Sequence, residues 1–164
     1  MTQFRNLRLK VLKPADTNIV ADWRLEDTRR KLFDGALAWS GQRFDLSAGG
    51  QRELVDGAYV SGRFFDVLGV NAARGRMLTP VDDGAASDGP VAVISHRLWR
   101  QRFAGAGAVV GRQLTVQRTP FTIVGVMPPG FFGPDVGRMT DVMVPFAAEP
   151  LIRRRESRLA DKGS

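Results

Sequence analysis

The spacing of apolar positions changes from segment to segment along this chain, and each spacing predicts an element. Across NIVADWRLEDTRRKLF (18–33), Ile19, Trp23, Leu25 or Glu26, Arg30 and Phe33 fall near helical spacing. Asp16 or Thr17 supplies a cap, and the acidic residues precede the basic TRRK end, as the helix dipole favours. A helix is expected there. GALAWS (35–40) and QRFDLS (42–47) read as two short strand-like pieces. AGG marks a turn, and QRELVDGAYV (51–60) returns as a further strand of a small antiparallel meander.

Residues 61–70, SGRFFDVLGV, place Phe64, Phe65 and Leu68 three and four apart, hence on one face of a short helix. Ser61 is expected to cap it through its hydroxyl, and Gly69 to end it in the left-handed conformation. Burying the two phenylalanines and the leucine is worth about 2 kcal/mol each, so the segment reads as a packing anchor. Residues 71–89, rich in Gly, Asp and Ala and containing Pro80, are expected to form an extended surface loop. PVAVIS then reads as a continuous apolar strand. Ser95 caps a helix over HRLWRQRF, and Gly105 follows as its stop. Two runs with period-two character in GRQLTVQRTPFTIVGVM (111–127) predict a hairpin. A proline and glycine corner then leads to a last strand at DVMVP. The expected class is α+β, with short helices packed on mixed, mostly antiparallel strands.

Composition narrows the functional reading. A chain of 164 residues with 43% hydrophobic content supports one substantial core, since a domain of roughly 150 residues hides about two thirds of its extended-chain surface. There is no cysteine, so disulfides and thiolate metal sites are excluded. The first sixteen residues lack the apolar run and cleavage site of a signal peptide. No apolar segment approaches the roughly 20 residues that span a bilayer, so the chain as it stands is expected to be soluble. The net charge of +7 sits wholly at the ends: Arg5, Arg8, Lys10 and Lys13 at the start, and residues 151–164 at the finish, while residues 14–150 are neutral overall. Nucleic acid is therefore a weak candidate partner.

The titratable residues point the same way. His96 is the only histidine, so no histidine pair can hold zinc and no Ser-His couple has support. Asp82, Asp83 and Asp88 lack the ordered spacing and distal glutamate of a calcium loop. No glycine-rich run ends in Gly-Lys-Ser/Thr. In HRLWRQRF, Leu98, Trp99 and Phe103 are expected in the core, with Arg97, Arg100 and Arg102 in water. No catalytic, cofactor-binding or metal residue emerges, and no enzyme activity is expected.

Three separated blocks, VSGRFFDVLGVNAARGRMLTPVDD, VAVISHRLWRQRFAGAGAVVGRQLTVQRTPFTIVGVMPPGF and DVMVPF, resemble in order and spacing the MacB-type periplasmic core domain of ABC transporter permeases. They are similar in particular to the orphan, FtsX-like permease branch. The resemblance divides the chain into an N-terminal segment (1–31), a partial core domain (32–150) and a basic tail (151–164). It implies a non-catalytic extracytoplasmic domain, on the periplasmic face of the inner membrane when part of a full permease. Such a domain passes on conformational change or engages cargo or a periplasmic partner protein. The implied partners are the permease's transmembrane helices and a separate ATP-binding subunit. The rival reading is a free-standing small-ligand or protein-binding module, marked by one concave apolar pocket with converging polar groups. One departure stands out: the family turns its hairpin on an Asn-Gly-like pair, whereas VQRTPF offers Gln117, Arg118 and Thr119, so a wider or different turn is expected.

Overall fold

A computed structural model describes residues 7–11, 36–84, 89–135 and 137–153 of the chain. The described residues form eight strands: β1 (Leu7–Val11), β2 (Ala36–Asp45), β3 (Leu54–Val60), β4 (Arg74–Gly75), β5 (Val91–Ile94), β6 (Gln113–Val116), β7 (Thr119–Val126) and β8 (Val142–Pro145). They join one sheet in the order β1-β2-β3-β8-β5-β7-β4, and β6 also pairs with β7. The β3–β8 and β5–β7 pairings are parallel. The other pairings are antiparallel, and β1–β2–β3 form the expected meander. Among the described residues two short helices, α1 (Phe64–Leu68) and α2 (His96–Phe103), two 3₁₀ turns, Pro80–Asp83 and Phe146–Ala148, and a helical stretch over 149–153 complete an α+β fold. The helix expected over 18–33 with its caps Asp16 and Thr17, the loop residue Asp88 and tail residues 154–164 lie outside the described residues.

Two apolar clusters lie on the two faces of this sheet. One gathers Phe44, Tyr59, Ile94, Phe121, Val142 and Val144 with Leu98 and Trp99 of α2. The other gathers Leu37, Trp39, Val60, Val93 and Met143 with Phe64 and Phe65 of α1. Burial on both faces explains why PVAVIS and DVMVP read as continuous apolar runs.

The double core also explains why β2 reads as two pieces. Leu37 and Trp39 enter the second cluster, whereas Phe44 and Leu46 enter the first. Successive side chains of a strand point to opposite faces, so a strand that serves first its odd and then its even positions loses its alternation halfway. What the sequence suggests as strands at 35–40 and 42–47 is one continuous ten-residue strand.

Helix α1 ends as expected, on Gly69 at φ 68°, with Gly69 N–H donating to Asp66 O at 3.1 Å and Val70 N–H to Phe65 O at 2.9 Å. Its start differs. Arg63 precedes the helix with no side-chain cap, and the Ser61 hydroxyl instead accepts from Ala38 N–H at 3.1 Å. The serine therefore ties the segment to β2. Phe64 and Phe65 are fully buried, in edge-on contact with each other and with Phe131 at centroid distances of 5.1, 6.5 and 6.0 Å. The anchor role read from the sequence is thus met by an aromatic cluster.

Residues 71–84 are more built than a surface loop. Met77 and Leu78 are buried, β4 pairs with β7, and Pro80–Asp83 winds into a turn that buries Asp82. Apolar side chains on both sides of Arg76 draw the loop inward. Gly125 allows the close approach: a Cβ there would sit 1.8 Å from the Arg76 carbonyl oxygen.

Helix α2 follows the sequence reading closely. The Ser95 hydroxyl accepts from Leu98 N–H at 2.9 Å, and Leu98 and Trp99 are buried. The helix unwinds through Ala104 at φ 52° and Gly105 at φ 68°.

The β6–β7 hairpin turns on two residues, Gln117 and Arg118, at φ 49° and 61°. This tight turn corrects the expectation of a wider one, since both central residues take the positive φ that a primed two-residue turn requires. The compensation is non-local. Gln117 N–H donates to Asp45 O at 2.8 Å, and the Gln117 side-chain oxygen accepts from Asp45 N–H at 2.6 Å. The sheet curls far enough for its hairpin tip to meet the end of β2.

Candidate functional site

The residues that the sequence offers as possible chemistry are dispersed into separate structural roles. His96, in the first turn of α2, packs edge-on against Trp99 with ring centroids 5.1 Å apart. Asp82 accepts both ends of the Arg76 guanidinium at 2.8 and 3.0 Å and the Thr79 N–H at 2.8 Å. Burial by itself would raise its pKa, but the hydrogen bonds and charge of Arg76, with the Thr79 amide, outweigh burial and hold it below the ordinary value. Asp83 turns the other way, accepting from Gly62 N–H at 2.8 Å. Burial pushes its pKa up against the opposing pull of that amide. The two aspartates are thus a capping device and a loop hook. Among the described residues no group of three or more His, Asp or Glu is placed to hold a metal ion.

The arginines of α2 are exposed, as expected, and two of them also hold acidic partners. Arg97 pairs with Asp141, and Arg102 pairs with Glu53 in the β2–β3 loop. Only long-range geometry decides this, because the partners lie 44 and 49 positions away in sequence.

Asp141 is the residue that sequence reasoning missed. It stands immediately before β8 and is only 3% exposed. The Ser95 hydroxyl donates to its Oδ1 at 2.7 Å and Arg97 Nε donates to the same oxygen at 3.2 Å, while Arg97 Nη2 pairs with Oδ2. Its backbone N–H donates to Asp56 O at 2.7 Å, and its carbonyl accepts from Ser95 N–H at 2.8 Å. Asp56 is itself paired with Arg138 at 3.3 Å. One residue therefore locks together β3, the β5–α2 junction and β8: its backbone N–H reaches β3, and its carbonyl and carboxylate reach Ser95 and Arg97. Ser95 serves twice, since the same hydroxyl caps α2. An acidic residue before an apolar strand, and a Ser-x-Arg at a helix start, were the only signals, and neither names the other.

At the opposite ends of β5 and β8 the surface opens into a cleft of about 420 Å³, walled by Pro90, Val91, Pro145, Ala147 and Leu151 with Asp83 beside them. Leu151, and Val81 next to Asp82, are among the large apolar side chains left exposed. Among the described residues no helix is long and apolar enough to cross a membrane.

The fold has relatives. It resembles the periplasmic region of MacB from Actinobacillus actinomycetemcomitans, with a TM-score of 0.52 at 18% identity, covering 68% of this chain and 47% of that one. It also resembles the extracellular domain of the noncanonic ABC-type transporter YknZ from Gram-positive bacteria, with a TM-score of 0.53 at 16% identity, covering 67% and 53%. The chain thus spans about half the length of either structure, and at these identities the likeness concerns the fold. No curated protein matches the sequence. The family model described as the MacB-like periplasmic core domain matches residues 10–161, and the chain belongs to that family.

Proposed function

We propose that this chain is a non-catalytic body of the extracytoplasmic part of an ABC-type permease. In this reading it carries movement that originates in transmembrane helices and a separate ATP-binding subunit, and presents a surface to cargo or a partner protein. The observation that supports it most is the Asp141 joint. A buried residue that joins the start of β8 to β3 through its backbone N–H, and to the β5–α2 junction through its carbonyl and carboxylate, lets the sheet move as one piece, which is what a relay needs and a hinge would lack. The aspartates support it too, since Asp82 caps its turn and pairs with Arg76, Asp83 hooks Gly62, and Asp141 pairs with Arg97.

The absence of cysteine makes the placement directly testable. In the complete protein, with any cysteine elsewhere replaced, V81C at a 73% exposed position is expected to react with a membrane-impermeant maleimide in intact spheroplasts. Reaction only after lysis would refute an extracytoplasmic site. For the relay, the R97M variant is expected to keep basal ATP hydrolysis by the assembled transporter while losing transport. Full transport by R97M would remove the mechanical role. The cleft beside Asp83 favours the second reading, a small-ligand module, and saturable binding of an apolar ligand abolished by bulky substitution at Ala147 would decide for it.

A further inference from the structure

The middle of the chain is neutral in sum but not in distribution. Residues 89–134 hold five arginines and no aspartate or glutamate, so any acidic partner they find must come from elsewhere in the fold. Arg97 finds Asp141 and Arg102 finds Glu53. Arg100 and Arg112 do not: among the described residues neither holds a carboxylate, and nor does Arg74 on β4, and all three are exposed. These three surround one loop, 104–112, which joins α2 to β6. Arg112 ends it. Arg100 lies along Gly105, where a Cβ would stand 2.8 Å from its Nη1. Gly75, next to Arg74, lies against Val110, where a Cβ would stand 2.7 Å from Cγ2.

Aromatic rings hold two of these cations in place. The Arg74 guanidinium carbon stands 5.8 Å from the centroid of the Trp99 ring, and that of Arg112 stands 5.3 Å from the centroid of Phe103. Trp99 is itself fixed, buried and donating its Nε1–H to Ala106 O at 2.9 Å. A ring attracts a guanidinium through its charge and leaves the N–H fork unbonded, so these contacts orient the donors without using them. Between the arginines the loop carries only glycine, alanine and valine, with Val110 44% exposed. Small side chains let another backbone come close, and held arginines around an apolar centre are what protein interfaces are enriched in. An anionic membrane surface is the poorer match, since it gains about fivefold in affinity per arginine, which leaves three of them in the millimolar range. A carboxylate meeting a held fork gains about tenfold or more, and burial of Val110 adds to it.

We propose that this face docks an acidic segment of a partner protein, its carboxylates taken by Arg74, Arg100 and Arg112 and its backbone laid over the 104–112 loop. The inference supplies the chemistry of the partner surface in the reading above, but it is tested on the 164-residue chain alone, so its failure leaves the extracytoplasmic placement to the V81C labelling. A synthetic ten-residue peptide of alternating glutamate and alanine, and its glutamine counterpart, are titrated against the chain by calorimetry. Saturable binding of the glutamate peptide only is expected, weakening as salt rises. R100Q is the sharpest variant, because Arg100 makes no hydrogen bond or ion pair among the described residues. It is expected to melt with the parent and to bind about fivefold more weakly or worse, a loss that cannot come from unfolding. The triple variant R74E/R100E/R112E is expected to abolish binding. R63Q, whose arginine pairs with Asp66 of α1, is expected to leave it unchanged. Parent-like affinity in R100Q, equal weakening by R63Q, binding confined to phosphatidylglycerol vesicles, or self-association through these arginines with no peptide binding would each overturn the proposal.

Discussion

Removing one partner of the Asp141–Arg97 pair should cost very different amounts depending on which partner goes. Asp141 is 4% exposed at its side chain, whereas Arg97 is 48% exposed. In D141N the shape and both backbone bonds survive, and the amide oxygen still accepts from Ser95. Arg97 loses a charge-assisted bond but can turn into water, so a loss of about 1–2 kcal/mol is expected after allowing for its exposure. In R97M the anion stays buried with only the Ser95 hydroxyl on its side chain. An uncompensated buried charge costs about 3 kcal/mol or more. The double variant R97M/D141N should then be no worse than R97M, because the asparagine removes the charge that made R97M costly. Urea midpoints at constant slope measure all three. Equal losses for the two single variants, or strictly additive losses in the double, would show that burial asymmetry does not govern this pair.

Other consequences follow from the same coordinates. R118G should stabilise by about 1 kcal/mol by relieving a left-handed arginine, whereas Q117G should destabilise, since it removes the bond to Asp45 N–H; thermal melts separate the two. D82N and D83N should show opposite pH behaviour. The pKa of Asp82 is held below its ordinary 3.8, so it stabilises above that value and loses its contribution as pH falls through the folded pKa. The pKa of Asp83 is raised above 3.8, so its contribution is present in acid and lost as pH rises through the raised value. At neutral pH D82N is therefore expected to melt lower and D83N higher than the parent, both differences shrinking towards pH 3; matching signs would refute the assignment. G125A should abolish cooperative melting, because its Cβ meets a backbone oxygen that cannot retreat. A chain ending at residue 140 should likewise bind a hydrophobic dye and lack a sharp transition. It loses Val142, Met143 and Val144, all fully buried and worth about 2 kcal/mol each, against a total stability of about 5–15 kcal/mol.

What the sequence made legible is what short stretches decide alone. The Ser95 cap, the left-handed Gly69, the fully apolar β5 and β8 and the Phe64–Phe65 anchor depend on neighbours within one or two turns, and each stands as read. The misreadings share a different cause. Ser61 looked like a cap and serves a strand 23 positions away. Gln117 looked unfit for a tight turn and is held there by Asp45, 72 positions away. Strand β2 looked broken because it changes which face it buries, a fact about the sheet and not about the strand. Asp141 was invisible for the same reason: its partners arrive only when β8 inserts between β3 and β5.

That insertion carries the functional reading. The last strand of the described sheet is not at its edge but at its centre, parallel to β3 on one side and antiparallel to β5 on the other. The meander and the β5–β7 half thus touch through a strand synthesised after both. Its side chains enter both clusters, Val142 and Val144 in one and Met143 in the other. A displacement applied to either half must either move β8 or expose these three residues together with the Asp141 carboxylate. The second course costs several kcal/mol, so the sheet follows as a unit. Loops pinned to the same end, the β2–β3 loop through Arg102–Glu53 and residues 128–140 through Arg138–Asp56, are carried along with it. Under the proposed relay, a domain assembled this way delivers motion at its rim without absorbing it in its core.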